Sequence, residues 1–204
     1  MRCGSLILIS ILGGAASMAC GGGDDTGAGV GDASGFEGIY QLTAASENPT
    51  SCAAPGASKL SQLREQFFVI TLSDVFGQKI AVLNSCTSVA DCQAKRAAQL
   101  QQQSYSIEYT FTFSSSDNAT TLNGFEATTG FGEGTRCVER TYAEHMLTVA
   151  ADHRVHLESR TTNLADQPQK DGFCWVEPAS SKQEAAGKPC SSLEVLDGSF
   201  LQAN

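Results

Sequence analysis

Residues 104–113 read SYSIEYTFTF, so Tyr105, Ile107, Tyr109, Phe111 and Phe113 alternate strictly with Ser106, Glu108, Thr110 and Thr112. A side-chain repeat of two belongs to a β-strand, with one face packed and the other in water. A half-buried strand needs partners, and the chain supplies them. Strand-like runs are expected over 38–45, 67–73, 78–84, 121–128, 137–150, 153–162 and 192–201. Turn chemistry separates them: SSSDNAT follows Phe113, Asp74 to Gly77 suggests one tight hairpin, and Ala151-Asp152 suggests another.

Two helical interruptions are expected. Residues 58–66 place Leu60, Leu63 and Phe67 at helical spacing, and residues 88–103 open on Ser88-x-x-Asp91, a capping-box-like start with an acid in the first turn. About eight strands in succession, mostly joined by short turns, suit a single antiparallel β-barrel with one or two short helices. A two-sheet β-sandwich is the alternative. In either, the face formed by Tyr105, Ile107, Tyr109, Phe111 and Phe113 points inward as the candidate ligand lining.

The run Gly38-Ile39-Tyr40 is similar to the Gly-x-Trp of lipocalin first strands, with Tyr in place of Trp. This resemblance implies a lipocalin-like barrel.

The first residues carry a different message. Met1-Arg2 is a short positive start, LILISIL from Leu6 to Leu12 is apolar, and mostly small residues follow to Ala19, which is the layout of a signal peptide over 1–19. The apolar run is shorter than the ~20 residues that a membrane-crossing helix needs. Ser17-Met18-Ala19-Cys20 resembles the lipobox of bacterial lipoproteins, with Ser17 where Leu is usual. That resemblance implies that the Cys20 thiol receives a diacylglyceryl group and that Cys20 becomes the first mature residue. Gly21 rather than Asp after it implies passage to the outer membrane, on the periplasmic face or the cell surface. Ser17-Met18-Ala19 also fits ordinary secretion, which is the alternative location. Residues 20–35, rich in Gly and Asp, cannot bury a core and read as a flexible tether, leaving 36–204 as one domain.

With Cys3 in the signal and Cys20 as anchor, six cysteines remain: Cys52, Cys86, Cys92, Cys137, Cys174 and Cys190. No two form a C-x-x-C pair of the zinc or thioredoxin kind, so in an exported chain disulfides are the expected use. Cys86 and Cys92 lie close enough to close a local loop. Cys137 with Cys174 and Cys52 with Cys190 would then tie distant segments, one choice among many that spacing allows.

Little else points to chemistry. With 13 Lys+Arg against 22 Asp+Glu the net charge is −9, which repels nucleic acid. His145, His153 and His156 fall near one expected hairpin with Glu139, Glu144 and Glu158, but His153 and His156 would face opposite sides of a strand, so no metal site is expected. No G-x-S-x-G elbow or phosphate-cradling Gly motif occurs, and no cofactor or catalytic residue is expected. Trp175, beside Cys174, reads as a core or disulfide-packing residue. The expectation is a non-catalytic lipoprotein, held to the membrane by its lipid, whose β domain binds a small apolar ligand or an envelope protein. Its alternative is a structural or interaction lipoprotein with a filled core and no ligand.

Overall fold

A computed structural model describes residues 33–75, 78–101, 109–112, 121–131 and 136–202. Among the described residues there are ten strands: β1 (Gly38–Asn48), β2 (Ala57–Ser58), β3 (Phe67–Val75), β4 (Gln78–Cys86), β5 (Tyr109–Thr112), β6 (Thr121–Phe131), β7 (Arg136–Val149), β8 (Arg154–Asn163), β9 (Gln167–Pro168) and β10 (Ser192–Gln202). The helices are α1 (Val89–Leu100) and α2 (Pro178–Ala186), with 3-10 turns at Ala33–Phe36 and Leu60–Gln62. Eight strands, β1, β3 to β8 and β10, follow one another antiparallel in chain order, and β10 pairs with β1 to close the barrel. Closure leaves this barrel no free sheet edge, which decides against the sandwich. All eight expected strands have their counterpart.

The two ends of the barrel differ. At one end two connections are tight: Val75 pairs with Gln78, and Ala150 and His153 close the β7–β8 turn through backbone hydrogen bonds. The 3-10 turn at Ala33–Phe36 closes this end, because Phe36 is fully buried and its carbonyl accepts the Tyr40 hydroxyl at 2.8 Å. Burial pushes the Tyr40 phenol up to about 12. Its ring stacks on Phe68 at 5.1 Å. Gly198 permits that stack, since a Cβ there would meet the Phe68 ring at 2.5 Å. The long connections, which carry both helices, gather at the other end.

Residues 58–66 do not form the expected helix. Ala57–Ser58 pairs with β1, and one 3-10 turn brings Leu60 and Leu63 onto the core. Both ends of the segment find their backbone partners on β1, through Lys59 N–H to Ala45 and Leu42 N–H to Gln66, and the Gln66 amide donates to the Leu60 and Leu63 carbonyls. A helix would have to give these bonds up.

The outer wall carries the helices. Ser88 caps α1 by accepting from Asp91 N–H, and Cys92 and Val89 pack on Ile39 and Val69. Packing against Tyr142 and Leu164 is made by Ala185 of α2. An ion pair of 3.0 Å between Arg140 and Glu184 fixes α2 further. Hydrogen bonds from Lys188, the Ala165 N–H and Arg140 hold the Glu184 carboxyl down to about 2. Disulfides join Cys86 to Cys92, the pair that spacing pointed to, and Cys137 to Cys174 and Cys52 to Cys190, one choice among the many that spacing left open.

Candidate functional site

The pairing register shows what faces the lumen. One level is Ala45, Leu196, Leu157, Leu147 and Leu122, each opposite the next on adjacent strands. With Phe36, Tyr40, Phe68, Ile70, Leu83 and Phe111 they fill the closed half with the chain's own side chains. One level toward the loop end, the inward row changes character. It runs Glu47, Glu194, Ser159, His145, Gly124 and on to Phe111. Gly124 lets β5 pass close, because a Cβ there would meet the Thr110 carbonyl oxygen at 2.4 Å.

His145 is 4% exposed; its Nδ1 lies 2.9 Å from Ser159 Oγ, and its ring meets the Tyr109 ring edge-on at 5.0 Å. Burial pushes this imidazole down to about 4, so it is neutral at pH 7. The Tyr109 hydroxyl donates to the Glu194 carboxylate. β5 and β10 stand opposite each other in the ring of eight strands, so this bond crosses the lumen.

Above that crossbar the inward positions are Glu126, Thr128, Thr141, Ala143, Thr161 and Ser192. All but Ala143 are only half-buried, although they point into a closed barrel. Solvent therefore reaches these polar side chains above the Tyr109–Glu194 crossbar, together a polar cup, although Leu60 and Leu63 from the same end pack onto the core. The Thr128 and Thr141 hydroxyls lie 2.7 Å apart on its wall. Burial raises the Glu126 carboxyl above its ordinary value.

Of the expected lining residues, Tyr109 and Phe111 face the lumen; Tyr105, Ile107 and Phe113, like Cys20, the expected lipid attachment point, lie outside the described residues. Phe111 is part of the packed core and Tyr109 part of the cup's floor. The three histidines go separate ways: His145 points inward, His156 meets Asp197 on the outer wall at 2.7 Å, and His153 sits in the turn at φ 58°. Trp175 does not pack in the core. It is 60% exposed, with Phe173 at 59%, because Cys174 turns inward to Cys137 while a turn with Asp171 and Gly172 at positive φ projects its neighbours outward.

A second concavity lies outside the wall. It is a groove of about 540 Å³ where Phe125, Tyr142 and Met146 meet the charged Glu144, Glu158, Arg160 and Lys182. Among the described residues no helix is long and apolar enough to cross a membrane.

No family model, curated protein or solved structure matches the chain.

Proposed function

We propose that this is an exported lipoprotein, held at the outer membrane through a lipid on Cys20, whose barrel is a non-catalytic binding domain that takes a small ligand in the cup at its loop end. One observation carries the reading: inward residues at that end are polar and half-exposed, while the closed half of the same lumen is packed by Leu, Phe and Tyr. A buried apolar ligand would compete with the protein's own core. A polar ligand entering the cup displaces only water.

The chain's path supports the same reading. The described chain enters the barrel at Phe36, at the closed end. An anchor at Cys20 therefore joins the barrel at the end opposite the cup. The three disulfides accord with an oxidising compartment.

The full mature chain, extracted from membranes and examined by native mass spectrometry, should carry a small adduct that leaves on denaturation. Cys20→Ala should release the protein into the soluble fraction. A chain free of adduct from its native envelope would favour the second reading, an interaction protein with no lumen ligand. The outer groove at Phe125 and Met146, 50% and 39% exposed, is the feature that supports it.

A further inference from the structure

We propose that the closed end of the barrel is a docking face for a phospholipid bilayer, on which it seats through Leu100, Phe200 and Leu201. This rests on the reading of Cys20 as the lipid anchor and adds a second, direct contact between the domain and the membrane.

Three large apolar side chains stay in solvent at this end. Strand β10 brings Phe200 and Leu201, 36% and 43% exposed, since Ile39 at the start of β1 pairs with Gln202. Helix α1 brings the third. It starts just after Cys86 at the loop end and runs back along β3 and β4 until Gln99 donates to Ser73 Oγ, near the β3–β4 hairpin, which leaves Leu100 49% exposed at its last turn.

The described chain enters between these residues. Glu37 pairs with Arg96, one helical turn before Leu100, and the Tyr40 ring meets the Phe200 ring edge-on at 5.6 Å. Residues 21–32 stand between Cys20 and Ala33, and a chain of that number reaches at most about 45 Å even fully drawn out. An anchor at Cys20 therefore leads straight to this rim. Contact with the lipid surface becomes an intramolecular step, for which a few apolar side chains suffice.

The charge of this end suits the same partner. Bilayers with anionic lipids repel acids, and the whole chain stands at −9. Among the described residues at the closed end each acid faces a base: Glu37 pairs with Arg96, Asp152 with Arg154 and Asp197 with His156, and Asp74 stands opposite Lys79 in the β3–β4 register. Toward the loop end Glu126, Glu139, Asp171, Glu177 and Glu194 take part in no ion pair among the described residues. The uncompensated acids thus lie away from the anchor. An apolar rim among balanced charges fits the headgroup boundary, where the apolar groups leave water and the charged ones keep it.

The test uses the full mature chain with its lipid, reconstituted in phosphatidylethanolamine and phosphatidylglycerol vesicles whose acyl chains are plain or brominated. Flotation with the vesicles, lost in Cys20→Ala, reports the anchor alone. Docking is read by indole emission. Trp175 projects from the loop end, where Cys174 joins Cys137, and should keep its emission over brominated lipid. In the double variant Leu201→Trp, Trp175→Phe, changed only at exposed positions, the indole should lose about half its emission or more, because docked apolar side chains lie ~5–10 Å inside the headgroup boundary and near the bromines. Adding Leu100→Glu on the same rim should restore the emission, with an unchanged circular dichroism spectrum. Quenching untouched by Leu100→Glu would overturn the assignment of the rim. Equal loss at both indole positions, or none at either, in a chain that floats would overturn docking and leave the anchor standing. Quenching of Trp175 alone would overturn it and seat the opposite end on the lipid. A dimer of the Cys20→Ala chain in analytical ultracentrifugation, dissolved by Leu100→Glu, would give the rim to a second copy and overturn the proposal. A chain that does not float would sink the anchor reading first, and this inference with it.

Discussion

The hydroxyl of Tyr109 on β5 reaches the carboxylate of Glu194 on β10, the strand directly across the barrel, and so ties two walls that share no backbone hydrogen bond. Beneath this bond the lumen is packed; above it the inward side chains are polar and half-exposed. Tyr109→Phe keeps the ring and removes the donor, leaving a half-buried carboxylate without a described partner. The variant should lose about 1 to 3 kcal/mol of stability by urea denaturation. An unchanged midpoint would mean that water replaces the phenol at no cost and that the crossbar does not brace the barrel.

His145 predicts how stability responds to acid. Its folded value, about 4, lies below the ordinary 6.5, so the unfolded chain takes up a proton that the folded one resists. The stabilisation is complete above about pH 6.5 and is lost as pH falls toward about 4, amounting to about 3 kcal/mol at most. Urea midpoints at neutral pH and near pH 4.5 should differ less in His145→Gln than in the parent. Equal pH dependence in the two would show that His145 is not the group responsible.

The disulfides should contribute unequally. Cys52–Cys190 spans a sequence separation of 138 and Cys86–Cys92 one of 6. In the chain-entropy account the first is worth about 5 kcal/mol and the second about 2. Paired Cys→Ala variants, compared by denaturant midpoint, should follow that order. The reverse order would place the effect of these bonds in the folded state.

Beneath α1, Thr71 Oγ1 and both amide atoms of Asn84 are buried without a hydrogen-bond partner. Thr71→Val keeps the shape and removes the orphaned hydroxyl, so it should be neutral or stabilise the fold by about 1 kcal/mol. A clear loss of stability would show that an ordered water serves these groups.

The strands were legible in the sequence because inward and outward positions alternate, as in β8, where Val155, Leu157 and Ser159 are buried and Arg154, His156, Glu158 and Arg160 are not. Helix α1 was legible through Ser88 and Asp91. Helix α2 was not: PASSKQEAA has no apolar stripe and buries only Ser181 and Ala185. Leu60 and Leu63, three apart, fit one 3-10 turn as well as a helix, and only the bonds to β1 decide between them. The cup was hidden for a related reason. Polar residues such as Glu126 and Glu194 read as a strand's wet face, and nothing in a single strand says that the water is inside the barrel. Only the register around the ring shows it.

The seam between β1 and β10 also has a mechanical side. Ile39 pairs with Gln202, so the chain enters β1 and leaves β10 at the same pole of the barrel, on neighbouring strands. A pull between those two points loads the backbone hydrogen bonds one after another, like a zip, and a zip yields at far lower force than strands sheared along their length. The far end of this zip is locked, because Cys52 and Cys190 join the segments just beyond Asn48 and Ser192. Traction on the ends can open the seam, but only as far as that bond.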